Sequence, residues 1–471
     1  MQFDRTQPPP TPTTLEEAHL VIQALWGVIG ELRGRVAELE EKLRIGSSNS
    51  SKPPSSDAPW QKKGRKAHQK SGKMRGGQPG HPGARRELLP PEAVDEVVSC
   101  RPKKRCPCGG VVELDPGEPE RRQVFELPEV QPKVTEYQVY RGACTRCHQR
   151  VAGEMPAGTP VGMLGPRAMA FVAELTGRYH MSQREVADLL EGHFGILVSP
   201  GTVAQTEARV SEALAAPVAE VREVLKGQPV VHMDETGSKI AGKRAWTWIA
   251  LTDKLATFVI RYGRGADVAR ELLGKSFAGL LVSDRWSAYS FLDPQRRQLC
   301  WAHLLRDFTR IQERGGASEP VGKKLLTLGH QLFHLWHQFQ DGLLHREALA
   351  EALQPVQAAI LTALEEGTRC DDVKTGRTCE NILKLKAALF NFVTVPGVEP
   401  TNNRAERGIR PYVLWRKSSF GTQGETGTTF VERILTVVAT CRAQGRSSIE
   451  FLTQAISDAL NQRPPPSLLP A

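Results

Sequence analysis

The sequence predicts a multidomain protein of mixed α/β class, and three observations carry that prediction. The chain has 471 residues, too many for one ordinary domain. Two apolar runs, "PVVHMDET" and "GLLVSDRWSAY", each end in an acid, Asp234 and Asp284, with further strand-like segments between them. Helical periodicity dominates on both sides of that region.

Composition sets the outer bounds. Apolar residues make up 40% of the chain, enough for real cores. Lysine and arginine number 62 against 52 acids, a surplus that suits a polyanionic partner. No stretch approaches the roughly 18 apolar residues of a membrane span, and no signal peptide is read at the start. The expected setting is cytoplasmic and reducing. There, paired cysteines among the nine present suggest metal before disulfide.

Residues 1–45 are expected to form an N-terminal helix or coiled coil. Ile22, Ile29, Val36 and Leu43 occupy a positions, and Leu25, Leu32 and Leu39 occupy d positions. β-Branched residues at a with leucine at d favour a parallel two-stranded coil, so a homodimer is expected. The alternative is one amphipathic helix packed on the body, and Gly27, Gly30 and Gly34 weaken the helix. Residues 46–90 read as a disordered basic arm. Between Asp57 and Glu87 lie nine lysines or arginines and no acid. Such a run cannot bury a core but can neutralise DNA phosphates, through Lys62, Lys63, Arg65 and Lys66.

Residues 95–155 carry two cysteine pairs, Cys106 and Cys108 in "CPCGG", and Cys144 and Cys147 in "CTRC". Alternating, strand-like sequence lies between them. Two knuckles joined by a hairpin build a four-thiolate zinc site, so a zinc-binding β module is expected. The first pair is spaced C-x-C rather than C-x-x-C, and Cys100 is an alternative ligand. Free thiols in a small β module are the competing reading. Residues 160–215 read as a helix-turn-helix DNA-binding domain. Ser182 and Glu185 form a capping box. Ser199 caps the next helix, with Pro200 at its first position. That helix would reach DNA through Thr202, Gln205 and Arg209.

Residues 225–430 hold the core. Between the two acid-tipped runs lie "RAWTWIALT", "LATFVIRYG" and a short helix near 266–274. A meander of three strands, a helix and a strand returning beside the first is the order of a ribonuclease-H-like core. An acid at each strand end would set two carboxylates side by side at a sheet edge. Glu406, in the first turn of a helix capped by Asn402 or Asn403, supplies a third. Three converging carboxylates suit Mg2+ or Mn2+, two ions per site, in phosphoryl transfer. Separately, each acid has a plain alternative as a turn residue, cap or ion-pair partner. Residues 310–398 read as an α-helical insertion in this core, and 430–462 as C-terminal helices.

In order along the chain, "NSSKPPSSD", "GGQPGHPG", the cysteine module, "MDET", "SDRWSAY", "CWAHLLRDF" and "PTNNRAERGIRP" resemble the insertion-sequence-66 family of bacterial transposases. The resemblance implies that Asp234, Asp284 and Glu406 form a DDE triad. It implies that His303 and Arg306 match the family's His-x-x-Arg. DNA contacts are expected at Arg410, Arg416 and Lys417 as well, and the resemblance further implies accessory proteins from the same element and action on nucleoid DNA. The expected function is cleavage at insertion-sequence ends and strand transfer into target DNA. The alternatives are an inactive or domesticated DNA-binding derivative and a plain ribonuclease-H-like nuclease.

Overall fold

The computed structural model describes residues 12–44 and 87–470. The chain divides into two units, residues 62–133 and the remainder. Residues 45–86, which hold Lys62, Lys63, Arg65 and Lys66 of the basic arm, lie outside the described residues, as do the side chains of Val36, Leu39 and Leu43.

Leu15–Arg44 forms one helix, α1, of 30 residues. Thr14 Oγ1 accepts the Glu17 N–H at 3.2 Å at its start. Ile22, Leu25, Ile29 and Leu32, the expected seam residues, stand exposed, Ile22 and Leu32 each at 52%. In the smaller unit, the Gln123 amide pairs with both backbone groups of Leu89, at 2.8 and 2.9 Å. The "CPCGG" turn closes when Cys106 N–H donates to Gly110 O at 2.9 Å.

The expected strands between the cysteine pairs are not formed. Residues 115–140 carry no strand pairing. The only strands here are β1 (Arg141–Ala143) and β2 (Arg150–Ala152), an antiparallel hairpin around "CTRC". Pro128 and Pro132 each lack the N–H that a ladder requires, and Val124, Leu127 and Val134 are exposed. Alternation therefore appears here without a sheet to bury one face.

Four helices follow: α2 (Pro166–Gly177), α3 (Gln183–Phe194), α4 (Pro200–Ala213) and α5 (Ala215–Lys226). Ser182 and Glu185 exchange both bonds of a capping box. Gly195 ends α3 at φ 64°, a left-handed conformation that favours glycine. Ser199 accepts the Thr202 N–H at 3.1 Å, with Pro200 opening α4.

The central sheet starts as an antiparallel meander of β3 (Val230–Ile240), β4 (Lys243–Leu251) and β5 (Ala256–Arg261). Helix α6 (Ala266–Leu273) then crosses to β6 (Leu280–Ser283), parallel to β3, and β7 (Arg297–Leu299) lies parallel beyond β6. The strand order is β5-β4-β3-β6-β7. Side chains alternate between two cores, as a strand's period of two requires. Ile249, Leu251, Phe258 and Ile260 face the core shared with α2–α5. Trp248, Ala250 and Val259 face the core shared with α6.

Five helices come next: α7 (Trp301–Glu313), α8 (Ser318–Gln340), α9 (Arg346–Thr368), α10 (Val373–Leu383) and α11 (Asn391–Thr394). They build a core from residues such as Leu325, Leu332, Ile360 and Phe392, shared with Leu280 and Val282 of β6 and Leu299 of β7. The chain returns through α12 (Asn403–Ser419), α13 (Glu425–Gln444) and α14 (Ser448–Leu460). The first closing helix thus begins at Glu425 rather than near 430.

Helix α13 also covers the open edge of β5. Glu432, Thr436 and Thr440, four residues apart, accept the N–H groups of Ile260, Phe258 and Ala256 at 2.7, 3.0 and 3.1 Å. Helix spacing of four puts the three acceptors on one face, where they satisfy donors that an edge strand leaves open. Each bond contributes about 1 kcal/mol net.

Candidate active site

The parallel register places the first two acids. Val230 faces Leu280, Val231 faces Leu281 and His232 faces Val282. Two residues further along each strand, Asp234 is level with Asp284. Asp284 lies just past the end of β6, as expected. Asp234 does not lie at a strand end or at a sheet edge. It sits in the middle of β3, the central strand, because β4 continues to pair with β3 out to Ile240. Only the parallel pairing stops near Asp234, and that stop opens the site.

Glu406 arrives from α12, in its first turn. Asn402 holds this helix start in place, although its side chain does not cap the helix. Instead its Nδ2 donates to Met233 O at 2.7 Å and its Oδ1 lies 3.2 Å from His232 Nδ1. Its backbone N–H donates to Cys300 Sγ at 3.1 Å. Asn402 is thus buried and pins α12 both to β3 and to the start of α7. Gly408 lets α12 lie close on the sheet, since a Cβ there would come within 2.5 Å of Leu251. Burial and the nearby Arg404 depress the His232 imidazole to a pKa of about 4, so it is neutral at physiological pH.

The acids act on one another. Burial first, then the charges of Glu235, Asp284 and Glu406, hold the Asp234 carboxyl well above the ordinary range. Among the described residues the Asp234 carboxylate forms no salt bridge, and the hydrogen bond it accepts is from Glu235 N at 3.0 Å. His303 Nδ1 and Arg306 Nη2 each lie 3.6 Å from Glu406 Oε1. Both sit on α7, three residues apart and so on one face. Neither makes a hydrogen bond at that distance, and His303 Nδ1 and Glu406 Oε1 are buried without partners. Burial and the adjacent Arg306 lower the His303 pKa, against the pull of Asp284 and Glu406.

A second layer was not visible in the sequence. Glu235 is buried and takes both Nε and Nη2 of Arg264, at 3.0 and 2.7 Å, on one oxygen. Its other oxygen accepts the Tyr289 hydroxyl at 2.7 Å. Arg297 is also buried, and its Nη2 donates to Asp284 O at 3.2 Å. Glu235 follows Asp234 directly in "MDET", which is the only local hint. Arg264 and Arg297 are brought in by the sheet.

This donor set fits a hard divalent cation. Asp234 is an acid without a cation, Glu406 Oε1 is a buried acceptor without a donor, and oxygen ligands suit Mg2+ or Mn2+. Among the described residues, the group whose ligand atoms all lie within 4.8 Å of one another is Cys300, His303 and Glu406, which shares Glu406 with the acids but includes neither aspartate. Burial raises the Cys300 thiol to about 11, and its sulfur already accepts the Asn402 N–H.

Residues 161–429 match the transposase IS66 family, more than half of the chain. The chain belongs to that family. Residues 103–148 match the zinc-finger binding domain of transposase IS66, and residues 7–87 match a family of unknown function. Two relatives come from Sinorhizobium fredii. The uncharacterized protein y4qI is 28% identical over 297 residues, 56% of this chain and 54% of that protein. The uncharacterized protein y4hP is 24% identical over 400 residues, 76% of this chain and 71% of that protein. The chain spans about half the length of y4qI.

The other expected site residues of this IS66 family member are placed as follows. On α4, Gln205 and Arg209 are exposed and Thr202 is half-buried. On α12, Arg410 and Lys417 are exposed, whereas Arg416 is half-buried with its guanidinium near Gly237 of β3. The zinc-finger match contains all four expected cysteines. Backbone N–H groups and the partner cysteine lower the thiol pKa of Cys108, from Gly110 and Cys106, and of Cys144, from Cys147 and Arg146. Lowered thiols favour the thiolate that a zinc ion requires. Among the described residues no helix is long and apolar enough to cross a membrane.

Proposed function

We propose that the chain is a DDE transposase. It hydrolyses a strand at each insertion-sequence end and directs the freed 3′-hydroxyl onto target DNA. The observation that carries this reading is that Asp284 and Glu406 lie near enough to buried Asp234 for their charges to hold its carboxyl up, with no cation among the described residues paired to it. Membership of the IS66 family supports DNA as substrate. A meander, a helix and a parallel strand beside the first support a ribonuclease-H-like core.

Mg2+ or Mn2+, two ions when bound, supplies the charge that activates the attacking oxygen and stabilises the leaving one. The chain's own residues do the rest. Asp234 and Asp284, level on adjacent strands, and Glu406 from α12 present the oxygen ligands. Arg306 offers a planar fork to a phosphate oxygen, and His303 orients water or the scissile phosphate. Arg297, buried beside Asp284, offsets charge without reaching the surface.

The remaining modules position DNA. A helix-turn-helix over 160–215 contacts it through Thr202, Gln205 and Arg209. Lys62, Lys63, Arg65 and Lys66 of the arm, and Arg410, Arg416 and Lys417 of α12, bind phosphates. Cys106, Cys108, Cys144 and Cys147 hold Zn2+, a reading supported by the zinc-finger match. The exposed stripe of α1 supports a coiled-coil homodimer. Small proteins of the same element assist, and the protein works in the cytoplasm on nucleoid DNA.

The test is a cleavage assay of the full-length protein on DNA carrying the element's ends, with Mg2+. The proposal expects strand cleavage that Asp234→Ala, Asp284→Ala or Glu406→Ala lowers by at least about 1000-fold, with DNA binding retained. Binding without cleavage by the unaltered protein would favour an inactive derivative. Equal cleavage of RNA–DNA hybrids without regard to ends would favour a plain nuclease.

A further inference from the structure

Trp286 stands two residues beyond Asp284 and is held unusually firmly for an exposed indole. Its backbone N–H donates to Asp284 Oδ1 at 2.9 Å. Its Nε1 donates to Arg264 O at 3.1 Å. The Arg264 guanidinium lies 3.9 Å from the centre of its ring and 4.4 Å from that of Trp246. That same guanidinium is tied to buried Glu235, the neighbour of Asp234. Through these bonds the indole is built into the framework of the acids, yet it remains 36% exposed.

Fixing the ring spends rotamer freedom, and leaving it partly in water forgoes apolar burial. The occupant that recovers both must be flat, apolar on its face and tolerant of a site made for phosphate and metal. A nucleobase meets all three conditions. Bases inside a duplex have both faces covered by their neighbours, so the face must come from an unpaired base. We infer that Trp286, braced by Arg264, is a stacking platform for an unpaired nucleobase of the DNA strand engaged by Asp234, Asp284 and Glu406. This rests on the reading of those acids as a DNA-processing centre. It adds that the centre takes a strand with at least one base out of the helix. Arg264 is a positioning residue here, acting through the indole.

The test is a cycle between protein and DNA. One DNA is a short duplex with a single-stranded thymidine overhang, and the other has the same overhang without bases. Binding of the full-length protein is measured by fluorescence anisotropy in Ca2+, an oxygen-seeking stand-in for Mg2+. Stacking on an aromatic side chain is sequence-tolerant and substantial. The unaltered protein is therefore expected to bind the base-bearing overhang about 10-fold more tightly than the abasic one. Trp286→Ala should erase that difference by weakening only the base-bearing complex, and Trp286→Phe should keep most of it, with melting temperatures unchanged. Equal binding of the two DNAs by the unaltered protein overturns the inference. So does a loss of the same size on both DNAs in Trp286→Ala, or no loss on either. If Trp286→Ala fails to fold, the base-to-abasic ratios of the unaltered protein and of Trp286→Phe decide alone. Discrimination between the DNAs with no cleavage in Mg2+ would sink the proposed function while leaving the platform standing.

Discussion

Asp234 sits where burial and three neighbouring acids all oppose its charge. An unfolded chain ionises this residue near pH 3.9, and the folded chain only at higher pH. Its contribution to stability is therefore complete below the unfolded value and is lost as pH rises through the folded value. Asp234→Asn removes that penalty, so the metal-free variant should melt above the unaltered protein at about pH 8. In a domain of this size about 1 kcal/mol corresponds to about 2–4 °C. Mg2+ should restore the unaltered protein more at about pH 8 than at about pH 6, and should barely affect the variant. Calorimetry with and without Mg2+ measures all three. An equal Mg2+ increment in both proteins would contradict metal binding at Asp234. The two aspartates were legible because each closes an apolar run. The brace around them was not. Asn402 reads in sequence as a helix cap, and only the fold turns its amide toward Met233 and His232. Arg264 reaches Glu235 across 29 positions of chain, beyond any local pattern.

Among the elements, those defined by local chemistry were legible. The capping box at Ser182 and the Ser199–Pro200 start are short-range signals that tertiary packing had no reason to override. Residues 115–140 show the converse, because alternation predicts a strand only where a neighbouring strand exists to pair with. The role of α13 was hidden for a related reason. Glu432, Thr436 and Thr440 look like scattered polar positions until the β5 edge is set against them. Helix α1 carries a prediction at this scale. Its exposed stripe of Ile22, Leu25, Ile29 and Leu32 has the 3-4 spacing of a coiled-coil seam. Leu32→Glu should halve the mass seen by sedimentation equilibrium at micromolar concentration, with the helical content of the rest of the chain intact. An unchanged mass would mean that α1 does not join two copies.

At the scale of the molecule, the order of strands and helices was legible because buried strands and amphipathic helices differ in period and length. The depth of Asp234 in the sheet was not, since it depends on how far β4 runs beside β3. The layout explains why one centre needs segments from so much of the chain. The sheet supplies two acids. The helices from α7 to α11, packed on a core shared with β6 and β7, bring His303 and Arg306. The returning α12 brings Glu406. In the proposed function, Asp234, Asp284 and Glu406 bind a divalent cation directly and cut DNA with it. Replacing an oxygen ligand by sulfur tests this most directly, because thiolate suits Mg2+ poorly and softer cations better. Cleavage of element-end DNA by Asp284→Cys should fall at least about 100-fold in Mg2+ and recover substantially in Mn2+. Asp284→Cys that cleaves in Mg2+ as fast as the unaltered protein would contradict the account.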